Sequence, residues 1–161
     1  MPPLGLVPRI TYDASVMGTE SRSDTHEQET IGAFVVRDKQ ERFRTFLSNS
    51  KNRKKFTQEL GHFRWFDQRF ATPVAWQADP NLKLWARHVQ GIEHIFLLLK
   101  SKGAAQTCWV ISENAAIDGK ELDLKTMLED VVGSGMGTIL SCVPGKLAYF
   151  EGEDERLLLV R

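Results

Sequence analysis

The apolar residues of this chain change their period part-way along it, and that change constrains the fold more than any other feature. In the first two thirds they recur at intervals of three and four: Phe43, Phe46 and Leu47, then Phe56, Leu60 and Phe63, then Ile92, Ile95, Phe96 and Leu99. That is the spacing of one face of an α-helix. From Thr107 onward short, nearly continuous apolar runs take over: Thr107 to Ser112, Thr138 to Val143, Lys146 to Phe150 and Arg156 to Val160. They have strand length and are bounded by turn residues such as Pro144-Gly145. One amphipathic helix interrupts them, with Leu124, Met127, Leu128 and Val131 on one face, Asp123 in the N-cap position and Gly133 at its close. Helical segments followed by closely spaced strands specify the α+β class. The expected architecture is an N-terminal basic helical hairpin, then an α-β-α-β-β-β half with a largely antiparallel sheet. Its last three strands form a meander, with the helices on one face.

Residues 1–30 read as a flexible tail. Pro2, Pro3 and Pro8 oppose a regular start, and Ser21 to Thr30 offers almost no apolar surface to bury. A single domain is expected over 31–161, within the size range of one hydrophobic core. Phe34-Val35-Val36 reads as a short strand or an extended entry. Asp38-Lys39-Gln40-Glu41 has capping-box spacing and opens a helix to about Ser48, and a second helix runs from Lys51 to His62. The stretch 64–90 is weakly patterned, with Val74-Ala75-Trp76 as a strand and Leu82, Leu84 and Trp85 in a strand or helical turn. A helix is expected from Gly91 to Gly103, and a loop from Asn114 to Gly119.

Charge is sorted along the chain. Overall, 21 Lys and Arg balance 21 Asp and Glu. Residues 37–69, however, carry ten basic side chains against four acidic ones, whereas 113–155 carry ten acidic against three basic. A basic stretch attracts anions, and an acidic one repels them or pairs with the basic stretch of a second copy. No apolar run approaches the roughly 20 residues of a membrane span. The first ten residues lack the charged and apolar regions of a secretory signal, so a cytoplasmic protein that does not engage membranes is expected. Cys108 and Cys142 lie in strand-like runs outside any CxxC pair, which predicts buried, reduced thiols.

Four constellations bear on chemistry. Lys51-Asn52-Arg53-Lys54-Lys55, with Arg64 and Arg69 interleaved among Phe63, Trp65, Phe66 and Phe70, combines phosphate-seeking cations with stacking rings. Aromatics at helical spacing are also what a core requires, and no familiar nucleic-acid-binding motif is present. Arg87-His88 and Glu93-His94 gather two imidazoles, but their six-residue interval matches neither HExxH nor a zinc finger, so no metal is expected. With Cys108 a histidine would make a nucleophile–base pair, although Cys108 sits in a buried-strand pattern. Gly133 to Thr138 holds three glycines, yet they follow a helix and precede a strand, the reverse of a phosphate-cradling loop. The acids Glu113, Asp118, Glu121 and Asp123, with Glu151 to Glu155, lack the oxygen ladder of a calcium loop.

Two functions of different class follow. The leading one is a non-enzymatic binding module whose basic face at 37–69 takes an anionic partner: a nucleic acid, another polyanion, an acidic protein surface, or the acidic face of a second copy in a homodimer. Arg53, Lys54, Lys55, Arg64, Trp65 and Arg69 are its expected contact residues. The alternative is a small enzyme without cofactor, its site between the two halves and built from His88, His94, Glu93 and Cys108. No residue pattern decides between them. Convergence of the two histidines on one pocket with Glu113 or Cys108 would favour the enzyme.

Overall fold

A computed structural model describes residues 23, 25–75 and 79–161. Helix α1 covers 25–34. A 3-10 turn (Arg37–Lys39) leads into α2 (Gln40–Ser48) and α3 (Arg53–His62), and the strand β1 (Ala71–Pro73) precedes α4 (Leu84–Ser101). The remainder is β2 (Thr107–Ser112), β3 (Lys120–Asp123), α5 (Leu124–Val131), β4 (Thr138–Val143), β5 (Leu147–Glu151) and β6 (Arg156–Val160). The strands form one sheet in the order β1-β6-β5-β4-β2-β3, and every neighbouring pair is antiparallel. The α+β class and the β4-β5-β6 meander are as the sequence implied. Among the described residues, no helix is long and apolar enough to cross a membrane.

Both faces of the sheet are covered, not one. Trp109 and Ile111 of β2, Ile139 of β4, Ala148 and Phe150 of β5, and Leu157 and Leu159 of β6 pack with Phe34, Phe43, Phe56 and Leu60 from α1 to α3. The alternate residues Cys108, Val110, Leu140, Cys142, Tyr149 and Leu158 pack with Ile92, Ile95 and Leu99 of α4 and Leu124 and Leu128 of α5. Side chains alternate across a strand, so a strand covered on both sides needs apolar residues at every position. The continuous runs at Thr107 to Ser112 and Thr138 to Val143 are the imprint of that arrangement. Each large side chain sealed this way contributes about 1.5–3 kcal/mol.

The expected tail ends earlier than residue 30. Residues 25–34 are helical, so Phe34-Val35-Val36 is a helix end and not a strand; Val35 makes only an isolated bridge to Phe66. Two polar residues of α1, Glu27 and Thr30, are buried, and hydrogen bonds satisfy them. Thr30 Oγ1 donates to the His26 carbonyl at 2.6 Å, His26 Nδ1 lies 2.8 Å from Ser141 Oγ, and Glu27 is 6% exposed. Residues 1–22, including the three prolines read as part of the tail, lie outside the described residues.

Other boundaries shift for local reasons. Asp38 sits within the 3-10 turn, and no side chain caps α2. Asp123 does cap α5, accepting from Thr126 N at 3.0 Å. Helix α4 starts seven residues before Gly91, at Leu84, because its first two turns carry exposed Leu84, Trp85 and Val89 that hide the periodicity. Strand β3 was read as part of the acidic segment; it is a polar edge strand paired with β2. The strand expected at Val74-Ala75-Trp76 lies just earlier, at Ala71–Pro73, and Trp76 is outside the described residues.

Candidate functional site: a basic ridge and an adjoining cleft

The α2–α3 hairpin presents the basic segment, but its cations divide into two groups. Arg53 turns inward. It donates to Glu27 at 2.7 and 3.0 Å, to Asp118 at 2.7 and 3.3 Å and to the Leu47 carbonyl at 3.1 Å. Burial alone would loosen its proton, but these hydrogen bonds and charges outweigh burial and hold the guanidinium above its ordinary pKa. Glu27 Oε2 also accepts from Trp109 Nε1 at 2.9 Å. Arg53 is therefore a structural clamp joining α1, α3 and the loop after β2, and its expected place on the binding face is corrected. A guanidinium with five donors in a fixed fork suits a position between two carboxylates.

Arg69 donates to Asp67 through Nε and Nη2, at 3.1 and 2.8 Å, and that contact draws the Asp67 carboxyl below its usual range. Arg42 is engaged with Glu59 and Arg44 with Glu41. The other six basic residues of the segment, Arg37, Lys39, Lys51, Lys54, Lys55 and Arg64, have no carboxylate partner among the described residues. Lys54, Lys55 and Arg64 are exposed, as the sequence reading required.

Trp65 is half-buried and lies between two neighbours. Lys39 Nζ stands 4.7 Å from its ring centroid, and the Phe63 ring stacks on it with 6.1 Å between centroids and 29° between planes. Phe63 remains 51% exposed. Phe56 and Phe66, by contrast, are core. The aromatic set thus splits: Phe56 and Phe66 go inward, whereas Phe63, expected on the apolar face of the helix, caps its C-terminus and stays at the surface with half-buried Trp65 beside the open cations.

At the C-terminal end of α3 the ridge borders a cleft of about 440 Å³. Gln58, Gly61, His62 and Arg64 form one side, Gly135 and Gly137 the end, and Gly152 to Glu155 with Glu113 the other side, over the edge of Phe150. Glycine is what lets the backbones close in. A β-carbon on Gly61 would stand 2.9 Å from Phe150 Cζ, and one on Gly152 would stand 2.8 Å from Phe150 Cε2. Arg64, on the lip, has φ 57°, making it the non-glycine residue with positive φ among those described. The loop read as a helix exit is one: Gly133 has φ 83°. Its Gly135 and Gly137 also wall this cleft.

The enzyme constellation is not assembled. His88 and His94 both lie on α4, about 120° apart around the axis, and both are exposed. His88 faces an open apolar groove of about 900 Å³ lined by Val74, Leu84, Trp85, Arg87 and Arg156. Glu93 is paired with Lys125. Cys108 is sealed on the α4–α5 face, and burial, aided by the nearby Cys142 and acidic groups, pushes its thiol well above the ordinary value. Glu113 belongs to the other cleft. Among the described residues no three His, Cys, Asp or Glu side chains are grouped to hold a metal ion.

Near the groove, Glu151 is buried and accepts from Gly133 N at 3.0 Å, Tyr149 Oη at 2.5 Å and Arg156 Nε at 3.1 Å. The carboxylate closes the end of α5 and is spent on structure. Comparison with known proteins adds no identification: no family model, no curated protein and no solved structure matches this chain.

Proposed function

We propose that this protein is a non-catalytic binding module that takes an anionic partner along the α2–α3 ridge. One observation carries the reading: exposed Phe63, stacked on half-buried Trp65, sits beside basic side chains that have no carboxylate partner among the described residues. Unpaired cations supply long-range attraction, and rings with little conformational freedom supply contact area once the partner has docked. The dispersal of His88, His94, Glu93 and Cys108 leaves the catalytic alternative without a site to support it.

The test is a ridge variant, Lys54→Ala, Lys55→Ala and Arg64→Asn. Asn is chosen at 64 because it tolerates the left-handed backbone better than Ala. Arg53 is left alone, since its loss would destabilise the hairpin and confound a binding defect. Retention on heparin and poly-glutamate columns is expected to fall. On heparin, the dependence of log affinity on log salt is expected to flatten by about 0.7–0.9 per lost contact. A folded variant that elutes at the salt of the natural chain, with the same slope, refutes the ridge.

A further inference from the structure

The cleft and the ridge have opposite sign, and they share a border. The cleft sets one arginine, Arg64, against four carboxylates: Glu113, Glu153, Asp154 and Glu155. None of the four has a cationic side-chain partner among the described residues. No cationic side chain among the described residues pairs with them to relieve their mutual repulsion, so a cation entering the cleft gains from all four at once. The floor is closed by the buried Phe150 ring under Gly61 and Gly152, so the cleft recognises its guest through the charge of its walls.

A uniform polyanion is a poor match for this surface. Its chain would track the open lysines of α3 and then meet four carboxylates one helix-length away. On α3, Lys54 is one turn before Gln58 and two before His62, and both of those line the cleft. From Lys54 to His62 the helix rises about 12 Å. A polypeptide can change sign over that distance and a nucleic-acid backbone cannot.

Building on the ridge reading, we infer that the partner is a polypeptide carrying an acidic block followed, some four extended residues later, by a basic side chain that enters the cleft. The block lies against Lys54 and Lys55. The four-residue spacing is the 12 Å rise divided by about 3.3 Å per extended residue. Arg64 stands at the junction and faces the acidic side of the partner, while Glu153, Asp154 and Glu155 receive the basic one. Recognition then depends on the order of charges in the partner, which places such a polypeptide above a simple polyanion that engages the ridge alone.

The experiment uses the full chain and fluorescein-labelled peptides read by anisotropy. The parent peptide has five glutamates, a four-residue Gly-Ser spacer and one arginine; the others replace the arginine by alanine or the glutamates by glutamine. The Arg→Ala peptide is expected to bind at least tenfold more weakly than the parent. That preference is expected to disappear in the cleft variant Glu153→Gln, Asp154→Asn, Glu155→Gln, whose changes fall on exposed Glu153 and Asp154 and half-buried Glu155 and are read only after its melting temperature matches the natural chain. An Arg→Ala peptide that binds within twofold of the parent overturns the inference. So does a cleft variant that keeps the arginine preference, or a single-stranded oligo-dT of equal length that displaces the parent peptide at lower concentration than the parent itself does. Failure of the ridge reads differently: the Glu→Gln peptide then binds as tightly as the parent, whatever the arginine contributes.

Discussion

Replacing Arg53 by Ala removes the one cation that, among the described residues, neutralises two largely buried carboxylates. Glu27 and Asp118 side chains are 8% and 14% exposed, and Arg53 itself 19%. After truncation Glu27 keeps the Trp109 indole N–H, and Asp118 keeps the Ser112 amide at 3.0 Å. Neither retains a cation. Breaking a buried pair by deleting one partner typically costs about 3–5 kcal/mol, because the stranded charge loses its counterion without regaining water. Against a total stability of about 5–15 kcal/mol this is a large fraction. For a chain of this length each kcal/mol moves the melting temperature by about 2–4 °C, so a fall of about 6–20 °C is expected. Urea titration followed by circular dichroism gives the free energy, and a thermal melt gives the shift. Lys54→Ala, one residue along and exposed, is the control and should stay within about 0.5 kcal/mol. Adding Glu27→Gln to Arg53→Ala should recover part of the loss, since it removes the stranded charge, and the double-mutant cycle reads that coupling directly. A loss below about 1 kcal/mol for Arg53→Ala, or strict additivity with Glu27→Gln, would refute the clamp.

Three further outcomes follow from the packing. Thr57 is 1% exposed, and its Oγ1 has no hydrogen-bond partner among the described residues; Thr57→Val should therefore be neutral or stabilising in urea melts, and a loss above about 1 kcal/mol would show that the hydroxyl is satisfied. Gly152→Ala places a methyl 2.8 Å from Phe150 Cε2 and 3.4 Å from the Glu155 carbonyl, so a cost of about 1–3 kcal/mol is expected, and an unchanged urea midpoint would mean that turn and ring do not meet. Burial pushes the Cys142 thiol up to about 12 and raises Cys108 and Tyr149 as well. Unfolded thiols ionise near 8.5 (roughly) while the native ones keep their protons, so this contribution is fully present below that pH and declines as pH rises toward 12. Urea midpoints at pH 8 and pH 10.5 should show the decline, and Cys108→Ala with Cys142→Ala should lessen it; an identical pH slope in the double variant would argue against the burial.

How much was legible in the sequence depends on whether a residue's role is set by periodicity or by a distant partner. Periodic positions were legible. Phe43, Phe46 and Leu47, then Ile92, Ile95 and Leu99, sit in the two cores as their spacing required. Strands β4 and β6 have the bounds that their apolar runs announced, and Asp123 caps α5 from its local position. These are short-range effects, complete within one or two turns of chain. Continuity of the apolar runs also encodes a sheet covered on both faces, which segment order alone does not distinguish from a one-sided sheet.

What depended on chain-distant partners was not legible. Glu27 in a polar stretch reads as tail; only the fold brings Arg53 and Trp109, 26 and 82 residues away, to bury and satisfy it. Arg53 reads like its neighbours Lys54 and Lys55, yet it points inward because Asp118, 65 residues on, and Glu27 meet it there. The cleft joins the end of α3, the glycine loop and the acidic turn, three segments with no shared period or motif. The sequence alone determined the class, the two helix-and-strand halves and the sorting of charge, since propensity, periodicity and composition are local. Which cations stay open, and that the acidic turn lies beside the basic ridge, were decided by tertiary structure, because charge pairing and burial are set by distance in space.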